Sequence, residues 1–122
     1  MKNKSQVFVN KEGFIELIYT EQVNAENQAK MQEELYALAF DQKEKGQPLK
    51  FLTDLSHVLN YDSQAQSLAT RGVSGMDIIK VAAFGARPDV EKVHASLYLR
   101  SKKSDLIHYF KTREEAIAWL ME

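Results

Sequence analysis

The chain of 122 residues contains no cysteine. That absence excludes disulfides, thiolate nucleophiles and Cys-ligated metals, and it is the usage expected of a reducing, cytoplasmic compartment. An excess of charge of one sign is also missing. Sixteen Lys and Arg stand against seventeen Asp and Glu, a formal net charge of -1, so no broad positive field exists to gather nucleic acid. No apolar run reaches the roughly 18 residues needed to span a bilayer, and the opening MKNKSQVFVN lacks the apolar core of a signal peptide. Only two prolines and five glycines interrupt the chain, and no stretch is biased enough to act as a linker. Hydrophobic residues make up 44% and charged residues 27%, the balance of a folded globular chain. One domain spanning residues 1–122 is expected.

What is present reads as alternating strands and helices. The β-branched and aromatic runs at 6–10 and 14–20 flank Lys11-Glu12-Gly13, where glycine supplies the positive φ of a tight reversal, so a β-hairpin opens the chain. After Asn24, the residues Met31, Leu35 and Leu38 recur at helical spacing until Lys45, Gly46 and Pro48 stop the helix. The run LKFLTDL at 49–55 reads as a buried strand, and a helix follows from about Ser63. At its end, Arg71 and Gly72 read as a basic last turn and a C-cap. KVAAFG at 80–85 is a further strand, and Pro88 opens a helix bearing Val90, Val93 and Leu97. LIHYF at 106–110 is the last strand. Thr112 and Glu115 form a T-x-x-E capping box for a terminal helix with Trp119 against the sheet. The predicted fold is α/β: an N-terminal hairpin, then β-α repeats with right-handed crossovers, giving a five-stranded mixed, largely parallel sheet with four helices.

Two stretches give this order a family likeness. TDLSHVLNYDS follows the third strand, with Asp54, Leu55 and Ser56 closing the strand and Asp62-Ser63 starting a helix. YFKTREEAIAWL ends the chain, with Phe110, Thr112, Glu114, Glu115, Ala116, Trp119 and Leu120 in the pattern of an aromatic strand end, a polar cap and an EEAxxWL helix. Over nearly its whole length the sequence resembles the STAS superfamily, and within it the SpoIIAA-like proteins. The resemblance implies a non-enzymatic regulatory or binding module that engages a protein partner or a small ligand. In the anti-sigma factor antagonists of this superfamily, the serine matched by Ser63 is phosphorylated and the phosphate breaks the partner complex. Here the motif continues Gln64-Ala65 in place of a small residue and glycine, which favours the SpoIIAA-like branch.

Ser63 also has a purely structural reading. As an N-cap it accepts from the N–H of Gln66, whose side chain reaches back to the N–H of Ser63. A phosphate at the same place meets the positive end of the helix and adds about −2 charge. Asp54, His57 and Ser63 invite comparison with a hydrolase triad, but no G-x-S-x-G elbow surrounds Ser63, so no catalytic residue is assigned. His57, His94 and His108 are too widely spaced to place two imidazoles on one helical face, and neither metal nor cofactor is expected. Phe84-Gly85-Ala86-Arg87-Pro88 is a strand-to-helix turn where Gly85 N–H and the Arg87 guanidinium suit an anion, although glycine also serves such turns structurally. In a parallel sheet this turn and the 55–63 loop share the C-terminal rim, where ligands bind. Asp54, Ser56, His57, Tyr61, Asp62, Gly85 and Arg87 are therefore the expected ligand or partner residues. The basic run after Tyr98 and Leu99, at 100–103, reads as a solvated loop. A rival expectation is a carrier for a small amphiphile or lipid, with Met76, Ile78, Phe84, Val93 and Leu97 around an apolar pocket between helices and sheet. A homodimer through an edge strand or an exposed helix is expected without assigned residues.

Overall fold

The computed structural model describes residues 5–122, so the first four residues of the MKNKSQVFVN opening lie outside the description. The hairpin forms from β1 (Gln6–Val9) and β2 (Ile15–Ile18), and Gly13 takes φ 90° in the reversal. The remaining strands are β3 (Gln22–Val23), β4 (Leu49–Asp54), β5 (Asn60–Tyr61), β6 (Ile78–Phe84) and β7 (Ile107–Phe110). The helices are α1 (Ala25–Glu44), α2 (Ser63–Ser74), α3 (Pro88–Arg100) and α4 (Arg113–Leu120), and a short 3₁₀ turn at 104–106 precedes β7.

The main sheet has the order β1-β2-β4-β6-β7, with β1 antiparallel to β2 and every other pair parallel. This is the five-stranded mixed sheet with four helices that the sequence predicts. Its crossovers through α1, α2 and α3 all step the same way along the sheet. Crossovers of one hand that step in one direction leave their helices on one face. That face is the larger core, where Ile15, Leu17, Phe51 and Val81 of the sheet are buried beneath the three helices, against Leu97 of α3 among others. After β7, at the sheet's edge, the chain returns across the opposite face as α4. There Leu52, Ala82 and Phe84 pack on Ala116 and Leu120. Coverage of both faces explains why β4 and β6 read as nearly continuous apolar runs.

α4 begins as predicted, with the reciprocal Thr112–Glu115 capping box. Its first residue, Arg113, donates from Nη2 to Oε1 of Glu16 at 2.8 Å, and Asn10 donates to the same carboxylate oxygen at 3.1 Å. Glu16 is buried on β2, so these donors satisfy a carboxylate that would otherwise be costly to bury. At the far end of α4, Lys50 and Lys80 donate to the carbonyls of Leu120 and Trp119, where unpaired C=O groups attract cations. Trp119 lies over the sheet, its ring 4.4 Å from that of His108 and beneath the Lys80 ammonium.

Two local expectations are corrected. Gly72 is not the cap of α2: it lies inside the helix, and Gly75 caps it. A β-carbon at Gly72 would come within 3.1 Å of the Gln32 amide, so glycine is there to let α1 and α2 approach. A second correction is the small parallel sheet β3-β5, which pairs Gln22 with Asn60 and Val23 with Tyr61. At two residues a strand, no alternation exists to reveal it in sequence.

Candidate functional site

The C-terminal ends of β4 and β6 bring the two predicted loops together. Leu55 N–H donates to the Phe84 carbonyl at 3.1 Å, continuing the β4-β6 pairing past the strand ends. Gly85 follows with φ 77°, a conformation that L residues adopt at a cost. A β-carbon there would lie 2.7 Å from Ser56 Cβ. The 54–63 loop and the 85–88 turn are thus in van der Waals contact along one rim.

Within that rim, Asp54 organises the first turn of the loop. Its Oδ1 accepts from Ser56 N–H at 2.9 Å and from the Ser56 hydroxyl at 2.6 Å, while Oδ2 lies 3.9 Å from His57 Nε2. Val58 then turns fully inward and Leu59 outward, half exposed at the loop's tip. The Glu21 carbonyl accepts from both Leu59 and Asn60 N–H, so the small β3-β5 sheet holds the tip in place. On the other loop, Arg87 stands at the N-cap position of α3, exposed, with Nε 3.4 Å from the Asp89 carboxylate.

The predicted site residues therefore divide. Asp54, Ser56, His57, Gly85 and Arg87 lie along the contact of the two loops, and Asp62 lies where the 54–63 loop enters α2. Tyr61 is in the core instead, donating its hydroxyl to Gln28 Oε1 at 3.2 Å. The anion cradle at Gly85 is also corrected, because its N–H already donates to the Phe110 carbonyl at 3.3 Å. At α2 the cap is Asp62, whose Oδ1 accepts from Ala65 N–H at 2.8 Å. Gln66 reaches back to the Tyr61 carbonyl, so the predicted Ser63–Gln66 box does not form. A carboxylate one residue earlier outcompetes the hydroxyl for the same helix end. Ser63 becomes the first helical residue, exposed, with no side-chain hydrogen bond to Asp54 or His57 among the described residues. Leu59 was missed by the sequence reading, though its signal was present as an apolar residue out of phase with Val58.

Among the described residues, the space between helices and sheet does not open into the expected apolar pocket. About 20 Å³ remains there, room for roughly one water, and its walls include Tyr19, Gln28, Gln32 and His94 beside Met76 and Leu97. Phe84 faces α4 on the other side of the sheet. Gln28 donates to Gln32, and His94 Nδ1 lies 2.8 Å from the Tyr109 hydroxyl, so polar side chains occupy the space a lipid tail would need. Burial lowers the His94 pKa from its ordinary 6.5 to about 3 and raises those of Tyr19, Tyr61 and Tyr98.

A larger recess of about 410 Å³ opens at the N-terminal ends of β4 and β6, the opposite end of those strands from the rim. Tyr36, Phe40, Pro48, Leu49 and Ile79 line it, and Lys43 and Asp77 stand at its mouth 3.7 Å apart. Among the described residues no three His, Asp or Glu side chains gather as a metal site, and no helix is long and apolar enough to cross a membrane.

Comparison with known proteins places this architecture. The model of a family described as a domain of unknown function (DUF7793) matches residues 8–122. The solved structure of an anti-sigma-factor antagonist (STAS) domain protein from Planctomyces limnophilus superposes with a TM-score of 0.70. The match covers 98% of this chain and 99% of that one at 15% identity, so what the two share is the STAS fold. No curated protein matches the sequence.

Proposed function

The chain belongs to the DUF7793 family, and from that premise and its STAS fold we propose that it is a single-domain, cytoplasmic, non-enzymatic regulatory module that engages a protein partner through the C-terminal rim. The supporting observation is the packing of Gly85 on Ser56, which joins two strand-end loops into one surface bearing His57, Leu59 and Arg87. A half-exposed leucine flanked by ionisable and hydrogen-bonding groups is the composition of a small interface centre with a polar rim. Ser63 adjoins this surface and is open to a kinase. A phosphate there would lie beside the Asp62 carboxylate that already caps α2, so its charge would act mainly on whatever faces the rim.

A photo-crosslinking residue at Leu59 tests the proposal in the source cell. It should trap one recurrent companion, and Arg87→Glu should lower that yield about tenfold, the effect of roughly 1.4 kcal/mol in affinity. If Ser63 is the switch, Ser63→Asp lowers the yield and Ser63→Ala does not. The same adducts from a probe at Leu99 on α3, or yields indifferent to Arg87→Glu, end the reading.

The 410 Å³ recess favours a second reading, in which a small amphiphile binds with its tail on Phe40 and Ile79. Its volume falls within the range of ordinary ligand sites and its walls are largely apolar. Dodecanoate below its micelle concentration should then give saturable NMR shifts at Ile79 and Met76 that Phe40→Asp abolishes. Shifts that persist in the Phe40→Asp protein, or none at all, remove this reading.

A further inference from the structure

The sheet's outer strand β1 offers a hydrogen-bonding edge that no described strand uses. β1 is the first strand of the order β1-β2-β4-β6-β7, and only β2 bonds to it among the described residues. The direction of its free groups follows from the hairpin. Asn10 N–H donates to the Phe14 carbonyl at 2.9 Å, so Asn10 faces β2. By the two-residue alternation of an antiparallel ladder, Phe8 and Gln6 face β2 as well, while Val7 and Val9 turn their N–H and C=O groups outward. The strand is short but reads Gln-Val-Phe-Val, with no charge, proline or bulge among the devices that blunt an edge. Phe8 and Val9 are both exposed, one on each face of the strand. α4 packs mainly against β4, β6 and β7, and Phe8 on that side is 37% exposed.

The geometry points to a homodimer in which β1 pairs antiparallel with β1 of a second copy about a two-fold axis through Phe8. In this register Val7 exchanges both main-chain hydrogen bonds with Val9 of the other copy. Phe8 meets Phe8 of the other copy at a non-hydrogen-bonded position, where cross-strand side chains come closest. Ser5 falls opposite Lys11, so no like charges oppose one another. The occupant is a second copy because the segment is complementary to itself under the two-fold, and a net charge of -1 offers little repulsion. β7, the other edge, has no large apolar side chain among the exposed ones. A ribbon this short buries less than a standard interface, so a reversible dimer in the micromolar range is expected.

The absence of cysteine makes a direct test available. Phe8→Cys places the only two thiols of the dimer across the axis, at the roughly 4.5 Å Cα separation of such a pair, which a disulfide accommodates. With copper-phenanthroline and oxygen as oxidant, Phe8→Cys should become a disulfide-linked dimer at least about tenfold faster than Leu99→Cys, which reports random collision. Gln6→Cys should stay slow, because Gln6 lies opposite Asn10 and far from its own copy. Val9→Pro removes an outward N–H that β2 does not use, so it should leave the circular dichroism and melting temperature nearly unchanged. In sedimentation, the wild type should approach twice the 14.0 kDa chain mass with rising concentration while Val9→Pro stays monomeric. The inference is overturned by a wild type that is monomeric at several hundred micromolar, by Phe8→Cys linking no faster than Leu99→Cys, or by a dimer that Val9→Pro leaves intact. Purified monomer whose β1 is instead protected by a strand of another protein would overturn it equally.

Discussion

Gly85→Ala is expected to destabilise the protein by roughly 2–4 kcal/mol, far more than the same change at Gly13. Both glycines hold positive φ, 77° and 90°, so alanine at either meets the same kind of backbone strain, about 1 kcal/mol. They differ in what surrounds the new methyl group. At Gly13 nothing lies within 4 Å, whereas at Gly85 the Ser56 β-carbon is 2.7 Å away and its α-carbon 3.2 Å. Those atoms cannot swing aside, because Asp54 holds Ser56 through two hydrogen bonds and Leu55 is bonded to Phe84. Urea denaturation of both variants reads the difference directly. Removing the opposing side chain with Ser56→Gly in the Gly85→Ala background should recover about 1 kcal/mol or more, a coupling between residues that touch. Equal costs at Gly13 and Gly85 would mean that the two loops are not packed together, and the rim proposed as the partner surface would lose its basis.

The second large effect is a loss of stability in mild acid that depends on one histidine. His94 is buried among the rings of Tyr19, Tyr98 and Tyr109, which are neutral at and below neutral pH. Burial holds its folded pKa at about 3, against 6.5 in the unfolded chain. Between those values the unfolded chain binds a proton that the folded chain refuses, so stability falls as the pH falls. Above about 6.5 both forms are neutral and the contribution is constant. The slope approaches about 1.4 kcal/mol per pH unit, giving roughly 2 kcal/mol lost between pH 6.5 and pH 5 from this side chain. His94→Asn keeps a polar atom near Tyr109 without an ionisable ring. It should be less stable than the wild type at pH 7.5, because it leaves space in the core, yet show a shallower decline from pH 6.5 to 4.5. The carboxylates titrate in both proteins, so the difference between the two curves isolates His94. Parallel curves would show that His94 takes up its proton with little penalty in the folded state.

Much of the architecture was legible because its signals are local. Gly13, Pro88 and the Thr112–Glu115 box each fix a turn or a helix start through the backbone of a few neighbouring residues, and each stands where the sequence placed it. α1 shows where such reading stops. Met31 and Leu35 face inward as their spacing requires, but Gln28, Gln32 and Gln42 are buried on the same helix while Leu38 is only half-buried. Glutamine is accepted inside because partners wait there: Tyr61 for Gln28, Gln28 for Gln32, and the Gly13 carbonyl for Gln42, 29 positions away. Hydrophobic periodicity carries no record of those partners. The cap of α2 failed for a related reason: Asp62 and Ser63 are both good caps, and β5, fixed by its pairing with β3, delivers the chain with Asp62 at the helix end.

By itself the sequence determined the order of the main-sheet strands and the four helices, the mixed five-stranded sheet and the common rim of the 54–63 and 85–88 segments, because alternation, caps and crossover handedness act over short stretches of chain. Tertiary structure alone decided that Tyr61 and His94 belong to the core, that Gly72 and Gly85 are points of close approach, that the space beneath the helices is filled, that Leu59 faces solvent, and that the outer edge of β1 is unpaired among the described residues. Each of these depends on which atoms of distant segments arrive at the same place. Burial, close contact and unpaired hydrogen-bonding groups are properties of that meeting and not of any residue taken alone.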